Sequence, residues 1–273
     1  IRAARQWPWE AGAFPFPSSP AGGSGVVTPR DKRRLLEAAG LKRVYSIPFA
    51  QVKDIEAEDF VRRILAGKCQ AKALCCGEDF RFGRGAAGDV ALLTRLCGEL
   101  GLELQVVPPV LEGGEKVSST RIRAAVEAGD IPLANRLLGR PFGFSLEVIH
   151  GNHIGTGLGT PTINQALPEG FVLPRFGVYA SWVRIDGRYY YGVTNIGVKP
   201  TVGSDRVLAE TWMPEFSGDL YGKRVRVFLV AFIRPERKFG SLEELKEEIG
   251  RNARQAKALA GEGPVGGQGR GNR

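Results

Sequence analysis

Two hydrophobic periods divide the chain, and the change falls at Gly139-Arg140-Pro141. Before it, short apolar runs alternate with helical stretches. The pattern predicts helices over 32–39, 58–65 and 90–100, and strands over 44–47, 71–76 and 104–107. Strands that alternate with helices imply a parallel α/β sheet. After Pro141 the period becomes two: Phe144, Leu146 and Val148 alternate with their neighbours, as do Val225, Val227, Leu229 and Ala231. Residues 177–185 and 188–196 flank Asp186-Gly187, a dipeptide that favours a tight hairpin turn. This half predicts an antiparallel β domain, a small barrel followed by a helix.

That helix is announced by Ser241 and Glu244, spaced as a capping box, with Leu242, Leu245 and Ile249 expected along its packed face. Between the halves, Gly129-Asp130 ends one helix and starts another, with Pro132 in its first turn and Gly139 as its stop. The first 29 residues, rich in proline, glycine and serine, read as loop. Residues 261–273 read as a disordered Gly-rich tail. The expected domains are therefore 1–140, 141–260 and the tail.

Composition narrows the class. The 273 residues are 43% hydrophobic and 25% charged, which excludes disorder of the whole chain and suffices for two ordinary domains. No run of about 18 apolar residues occurs, and the start leads into Trp7-Pro8-Trp9 rather than a hydrophobic signal core, so the expectation is a soluble, cytoplasmic protein. Four cysteines, without a C-x-x-C pair, predict reduced thiols. The net charge of +9 raises nucleic acid and membrane surfaces as partners. However, residues 251–273 hold five basic residues and one acid, so much of the excess sits at the C-terminal end, and no recognition motif accompanies it. The expectation is no nucleic acid and no membrane.

Several segments carry chemistry-bearing residues. Gly83-Arg84-Gly85-Ala86-Ala87-Gly88 fits G-x-G-x-x-G, but it begins well past the end of the strand before it, which argues against a dinucleotide fingerprint. Asp79, Phe80 and Arg81 lie at the carboxyl end of a parallel strand, where open α/β sheets place ligands; the plain alternative is a charged surface loop. Ser118, Ser119, Thr120, Arg121 and Arg123 open a helix with hydroxyl donors and guanidinium groups, which suits phosphate, or simply an ordinary cap followed by solvated arginines. Residues 151–164 place Gly155, Gly157 and Gly159 ahead of Pro161, Thr162 and Asn164. Glycines admit phosphates close to the backbone, and the Thr162 and Asn164 oxygens suit Mg²⁺ or phosphate; a flexible loop is the alternative. His150 and His153 are the only histidines, too few for a zinc site. Glu210, at the end of a strand, can accept a proton from a hydroxyl, although an exposed strand glutamate is commoner.

Taken in order, these segments resemble the bacterial bifunctional riboflavin kinase/FAD synthetase family. The resemblance runs from about Val26 to about Leu259 and includes Gly77-Glu78-Asp79-Phe80-Arg81-Phe82-Gly83, Ser118 through Arg123, Leu158-Gly159 with Pro161-Thr162 and Asn164, Asn195-Ile196-Gly197, Glu210 and Leu220-Tyr221-Gly222-Lys223. It implies an N-terminal nucleotidyltransferase-like α/β module that adenylylates FMN to FAD, and a C-terminal six-stranded barrel that phosphorylates riboflavin to FMN with Mg²⁺ and ATP. It further implies that Glu210 activates the ribityl hydroxyl and that Pro161, Thr162 and Asn164 hold Mg²⁺ and the ATP phosphates. Ser118 to Arg123 would then bind the triphosphate in the other module, with Asp79-Phe80-Arg81 at its nucleotide and flavin site.

The sequence departs from the family pattern twice. The family's G-x-F-D-G-x-H-x-G-H segment has no counterpart, so the expectation is a truncated sequence or an inactive adenylyltransferase, with FAD synthesis impaired. Thr156 also replaces an arginine that is usual in the kinase loop. The alternative from another class is a non-catalytic flavin or nucleotide sensor. Thr162, Asn164 and Glu210 together argue against it, because a pure binder needs no base.

Overall fold

The computed structural model describes residues 3–16, 22–150, 162–201 and 204–261, so all of the expected disordered tail after Gly261 lies outside the described residues. By its contacts the chain forms two compact units: Ile1–Ser24 with Pro29–Val117, and Gly25–Thr28 with Ser118–Arg273.

In the first unit, helix α1 (Pro29–Ala38) follows strand β1 (Gly12–Ala13), which pairs in parallel with β2 (Arg43–Val44). The start of the chain is thus not all loop. Two residues suffice for a strand here because Phe14 continues from β1 into an aromatic cluster with Phe16, Tyr45 and Phe60. Strands β3 (Ala73–Gly77) and β4 (Glu103–Val107) run parallel, in register from Ala73↔Glu103 to Gly77↔Val107. Between them lies α2 (Val90–Leu100), capped by the Asp89 carboxylate, which accepts from the Leu92 N–H, and closed by Gly101 in the left-handed region. The helix expected over 58–65 is an α-turn that continues as a π-helix, Phe60–Lys68. Its buried Phe60, Val61 and Ile64 meet Leu93 and Leu96 of α2 in one apolar core. A short hairpin, β5 (Leu111–Glu112) and β6 (Glu115–Lys116), ends the unit.

In the second unit, α3 (Ser119–Ala128) and α4 (Ile131–Leu138) precede the strands. Asp130 caps α4 through the Leu133 N–H, and Gly139 closes it. Asn135 on α4 accepts from the Phe142 N–H at 2.6 Å and donates to the Leu229 carbonyl. That fastening explains why both helices group with the strands, so the contact boundary falls at Ser118, ahead of the period change at Pro141.

The strands are β7 (Gly143–Glu147), β8 (Thr162–Ala166), β9 (Gly177–Ile185), β10 (Arg188–Thr201), β11 (Ser204–Trp212) and β12 (Arg224–Arg234). They form one antiparallel sheet in the order β7-β12-β9-β10-β11-β8. Asp186 and Gly187 both have positive φ, as the predicted β9–β10 hairpin requires. The two edge strands meet to give a nearly closed barrel. Fully buried Gln165 on β8 donates to the carbonyls of Leu146 on β7 and Val225 on β12, at 2.7 and 2.9 Å. Inside, the hydroxyls of Ser181, Thr194 and Thr211 satisfy one another.

Helix α5 (Leu242–Ala260) closes the unit, with Ser241 accepting from the Glu244 N–H. The return bond runs from the Gly240 N–H to Glu244 Oε2. The packed face differs from the expected one. Glu248, Asn252, Ala256 and Ala260 are buried, whereas Leu242 is 51% exposed. Alanines let the helix sit close to β9, where Trp182 Nε1 donates to the Ala260 carbonyl, and arginines make burial of Glu248 tolerable.

Candidate functional site

Sheet register decides which side chains stand together. Asn164 on β8 faces Glu210 on β11, and Glu210 faces Asn195 on β10. Residues paired this way point to the same side of a sheet, with Cβ atoms about 5 Å apart. Three adjacent strands therefore present amide, carboxylate and amide in a row. Thr162 stands two residues before Asn164, on the same side, opposite Trp212.

Two features of the row bear on chemistry. Asn164 is buried, and its Oδ1 has no hydrogen-bond partner among the described residues. A buried carbonyl oxygen left in this way costs about 1–3 kcal/mol, which a bound cation or donor would recover; Gln165 Oε1, on the other side of β8, is in the same state. With the Thr162 hydroxyl nearby, the donors are hard oxygens, which fits Mg²⁺. Glu210 is half-buried at the centre of the row.

A second carboxylate joins from the end of β12. Glu236 Oε1 accepts from Asn195 Nδ2 at 3.0 Å and lies over Gly197, two residues further along β10. Next to it in sequence, Arg234 and Arg237 both turn to Glu248, at 3.0 and 3.1 Å. Arg251 joins them, and its hydrogen bond, followed by the charges of Arg237 and Arg234, holds the Glu248 carboxyl below the usual carboxylate range.

Gly155, Gly157, Gly159 and Pro161 lie outside the described residues. His150, just before them, stacks on Tyr221 with ring centroids 4.0 Å apart.

In the first unit, the segment after β3 forms a closed loop. Phe82 and Gly88 exchange backbone hydrogen bonds, and a Cβ at Gly88 would lie 2.7 Å from the Phe82 ring. A Cβ at Gly83 would lie 2.5 Å from the Ala57 backbone. These glycines serve close packing inside the unit, so the G-x-G-x-x-G spelling does not form a dinucleotide turn. Phe80 stacks on buried Phe82 at 5.5 Å. The Arg81 guanidinium is 3.6 Å from Asp89, and Asp79 is ion-paired with Lys116 on β6. Lys116 holds the Asp79 carboxyl below its ordinary value, first by hydrogen bonding and then by charge.

Ser118 to Arg123 belong to the second unit. Ser118 Oγ accepts from the Arg121 N–H at 3.2 Å, so the expected cap is real, and Arg123 donates to the Thr120 hydroxyl at 3.1 Å. The structure thus assembles Thr162, Asn164 and Glu210 in one place, and describes the Asp79-Phe80-Arg81 loop and the Ser118 helix start each within its own unit. Sequence reasoning missed Glu236. Its only signal was Pro235, a residue that ends a strand.

The family model for riboflavin kinase matches residues 138–260, and that for FAD synthetase matches residues 17–121. The bifunctional riboflavin kinase/FMN adenylyltransferase of Pseudomonas fluorescens is 40% identical over 223 residues, which are 81% of this chain and 71% of the relative. The protein of the same name from Escherichia coli K12 is 37% identical over 234 residues, covering 85% of this chain and 74% of the relative. Among solved structures, one titled a macrolide-efflux protein from Streptococcus pneumoniae aligns with a TM-score of 0.81 at 28% identity, over 93% of this chain and 86% of that one. In the described residues of this chain, no helix is long and apolar enough to cross a membrane.

Proposed function

The chain belongs to the bifunctional riboflavin kinase/FMN adenylyltransferase family of flavin-cofactor biosynthesis, and on that premise we propose that the Asn164–Glu210–Asn195 row is its kinase centre. The observation that carries this reading is the register itself, which sets a carboxylate between two amides and leaves Asn164 Oδ1 without a partner among the described residues. Glu210 accepts the proton of the terminal ribityl hydroxyl as that oxygen attacks the γ-phosphorus of ATP. The bond from the γ-phosphorus to its bridging oxygen breaks, and ADP leaves with the electron pair. Thr162 and Asn164 would hold Mg²⁺, which neutralises phosphate charge when bound. The strands supply position, because a base fixed by register on a rigid sheet needs no reorganisation before proton transfer.

For the second activity, Ser118, Ser119, Thr120, Arg121 and Arg123 receive the ATP triphosphate at the start of α3, supported by the helix dipole and the guanidinium donors. Asp79, Phe80 and Arg81 serve the nucleotide and flavin, supported by a loop that its Phe82–Gly88 bridge holds closed. The test of the kinase reading is FMN formation from riboflavin, Mg²⁺ and ATP by wild type and by Glu210→Gln. Loss of turnover with retained folding is the expected result. A sensor would bind riboflavin and form no FMN in either protein.

A further inference from the structure

The kinase reading gives no role to the second carboxylate on this side of the sheet. Glu236 is exposed, yet its place is built. A Cβ at Gly177 would lie 2.3 Å from the Arg234 carbonyl oxygen and 3.0 Å from Pro235 Cα, so only glycine lets the chain leaving β12 cross the start of β9. A Cβ at Gly197 would lie 2.2 Å from Glu236 Oε1, so bare backbone on β10 receives the carboxylate. Asn195 then holds it with an N–H at 3.0 Å. Arg234 and Arg237, on either side, are engaged with Glu248 on α5, which anchors the segment while Glu236 meets a neutral amide.

The chemistry of the ligand follows from the charge. A carboxylate accepts hydrogen bonds from hydroxyls and repels phosphates, so this arm of the site suits an uncharged polyol and not ATP. Gly197 lies two residues, about 7 Å, along β10 from Asn195, the neighbour of Glu210. Asn195 bonds Glu236 and is paired with Glu210 across β10 and β11, so the two carboxylates flank one amide, and an acceptor placed beside the base in this way can take a hydroxyl further along the same polyol.

We propose that Glu236 is a substrate-positioning residue that accepts hydrogen bonds from inner hydroxyls of the ribityl chain while the terminal hydroxyl reaches Glu210. This rests on the kinase reading of Glu210. The experiment measures KM for riboflavin and for ATP separately in the full chain. Glu236→Ala should raise the riboflavin KM about tenfold or more, the scale of one lost charged hydrogen bond, and leave the ATP KM within about twofold. Glu236→Gln, which keeps an acceptor, should recover most of the loss. Gly197→Ala, which displaces the carboxylate without removing it, should show the same split. Lumiflavin, a flavin without the polyol, should compete equally well against wild type and Glu236→Ala. A riboflavin KM that does not move, or that moves together with the ATP KM, overturns the proposal. If Glu210→Gln keeps full turnover, the kinase-centre reading fails instead. If Glu210→Gln is inactive and Glu236→Ala is normal, only the inference about Glu236 fails.

Discussion

The two candidate sites are carried by different kinds of structure. In the barrel, Asn164, Glu210 and Asn195 stand on three adjacent strands whose backbones fix each other's register. In the first unit, Asp79 and Arg81 stand on a loop whose side-chain fixings are the Asp79–Lys116 and Arg81–Asp89 ion pairs, with every partner at least 45% exposed. Exposed pairs contribute about 0–1 kcal/mol, whereas a ladder of strand hydrogen bonds is cooperative with the whole fold. The proposed kinase row is therefore fixed by register, whereas in the first unit only the backbone of the loop is bridged and the Asp79 and Arg81 side chains stay exposed.

Substitutions sharpen that contrast, beginning with the largest effect. Asn164→Leu should lower the rate of FMN formation about a hundredfold, within the range of lost electrostatic stabilisation, yet leave stability unchanged or raise it by about 1 kcal/mol because an orphaned buried oxygen disappears. Comparing steady-state turnover with thermal melting checks both halves; a melting temperature that falls with the rate would contradict the reading of Asn164 as a functional cost. Gln165→Leu, its neighbour on the opposite side of β8, should reverse the pattern. It removes the bonds from β8 to β7 and to β12 and leaves the Leu146 and Val225 carbonyls without that donor, which outweighs the loss of its own unpartnered Oε1, and should cost about 2 kcal/mol in denaturant unfolding, with turnover at low temperature nearly normal.

Ion pairs extend the comparison. Glu248, at 11% side-chain exposure among three arginines, has a pKa held below its unfolded value. Its contribution is therefore present above the unfolded carboxylate pKa and is lost as pH falls through the lowered folded value. Glu248→Gln should cost about 1.5 kcal/mol at neutral pH, and the gap from wild type should close on acidification. A gap that is constant with pH would show that packing rather than charge explains it. Smallest of all, Lys116→Ala should leave the denaturant midpoint almost unchanged and let the Asp79 carboxyl titrate nearer its ordinary value, which NMR titration can follow.

The barrel was the more legible half, for a physical reason. Period-two alternation, the Asp186-Gly187 turn and the caps at Ser118, Asp130 and Ser241 are local signals, and all appear as expected. The row of Asn164, Glu210 and Asn195 was legible as residue types but not as an arrangement, since register across β8, β11 and β10 is a long-range property. The packed face of α5 escaped because burial of Glu248 depends on arginines brought in from β12 and the segment after it. Strand β1 escaped because two residues carry no period. Glu236 escaped because its partners, Asn195 and the open backbone at Gly197, lie about 40 residues away on another strand.

The most direct test is a single turnover experiment with the full chain, riboflavin, Mg²⁺ and ATP, in which FMN and ADP are separated by chromatography. The account predicts one ADP for each FMN in wild type, and a rate at least about a hundredfold lower in Glu210→Gln at an unchanged melting temperature. Equal rates in the two proteins would show that the carboxylate between Asn164 and Asn195 is not the base, and would remove the kinase centre from this face of the barrel.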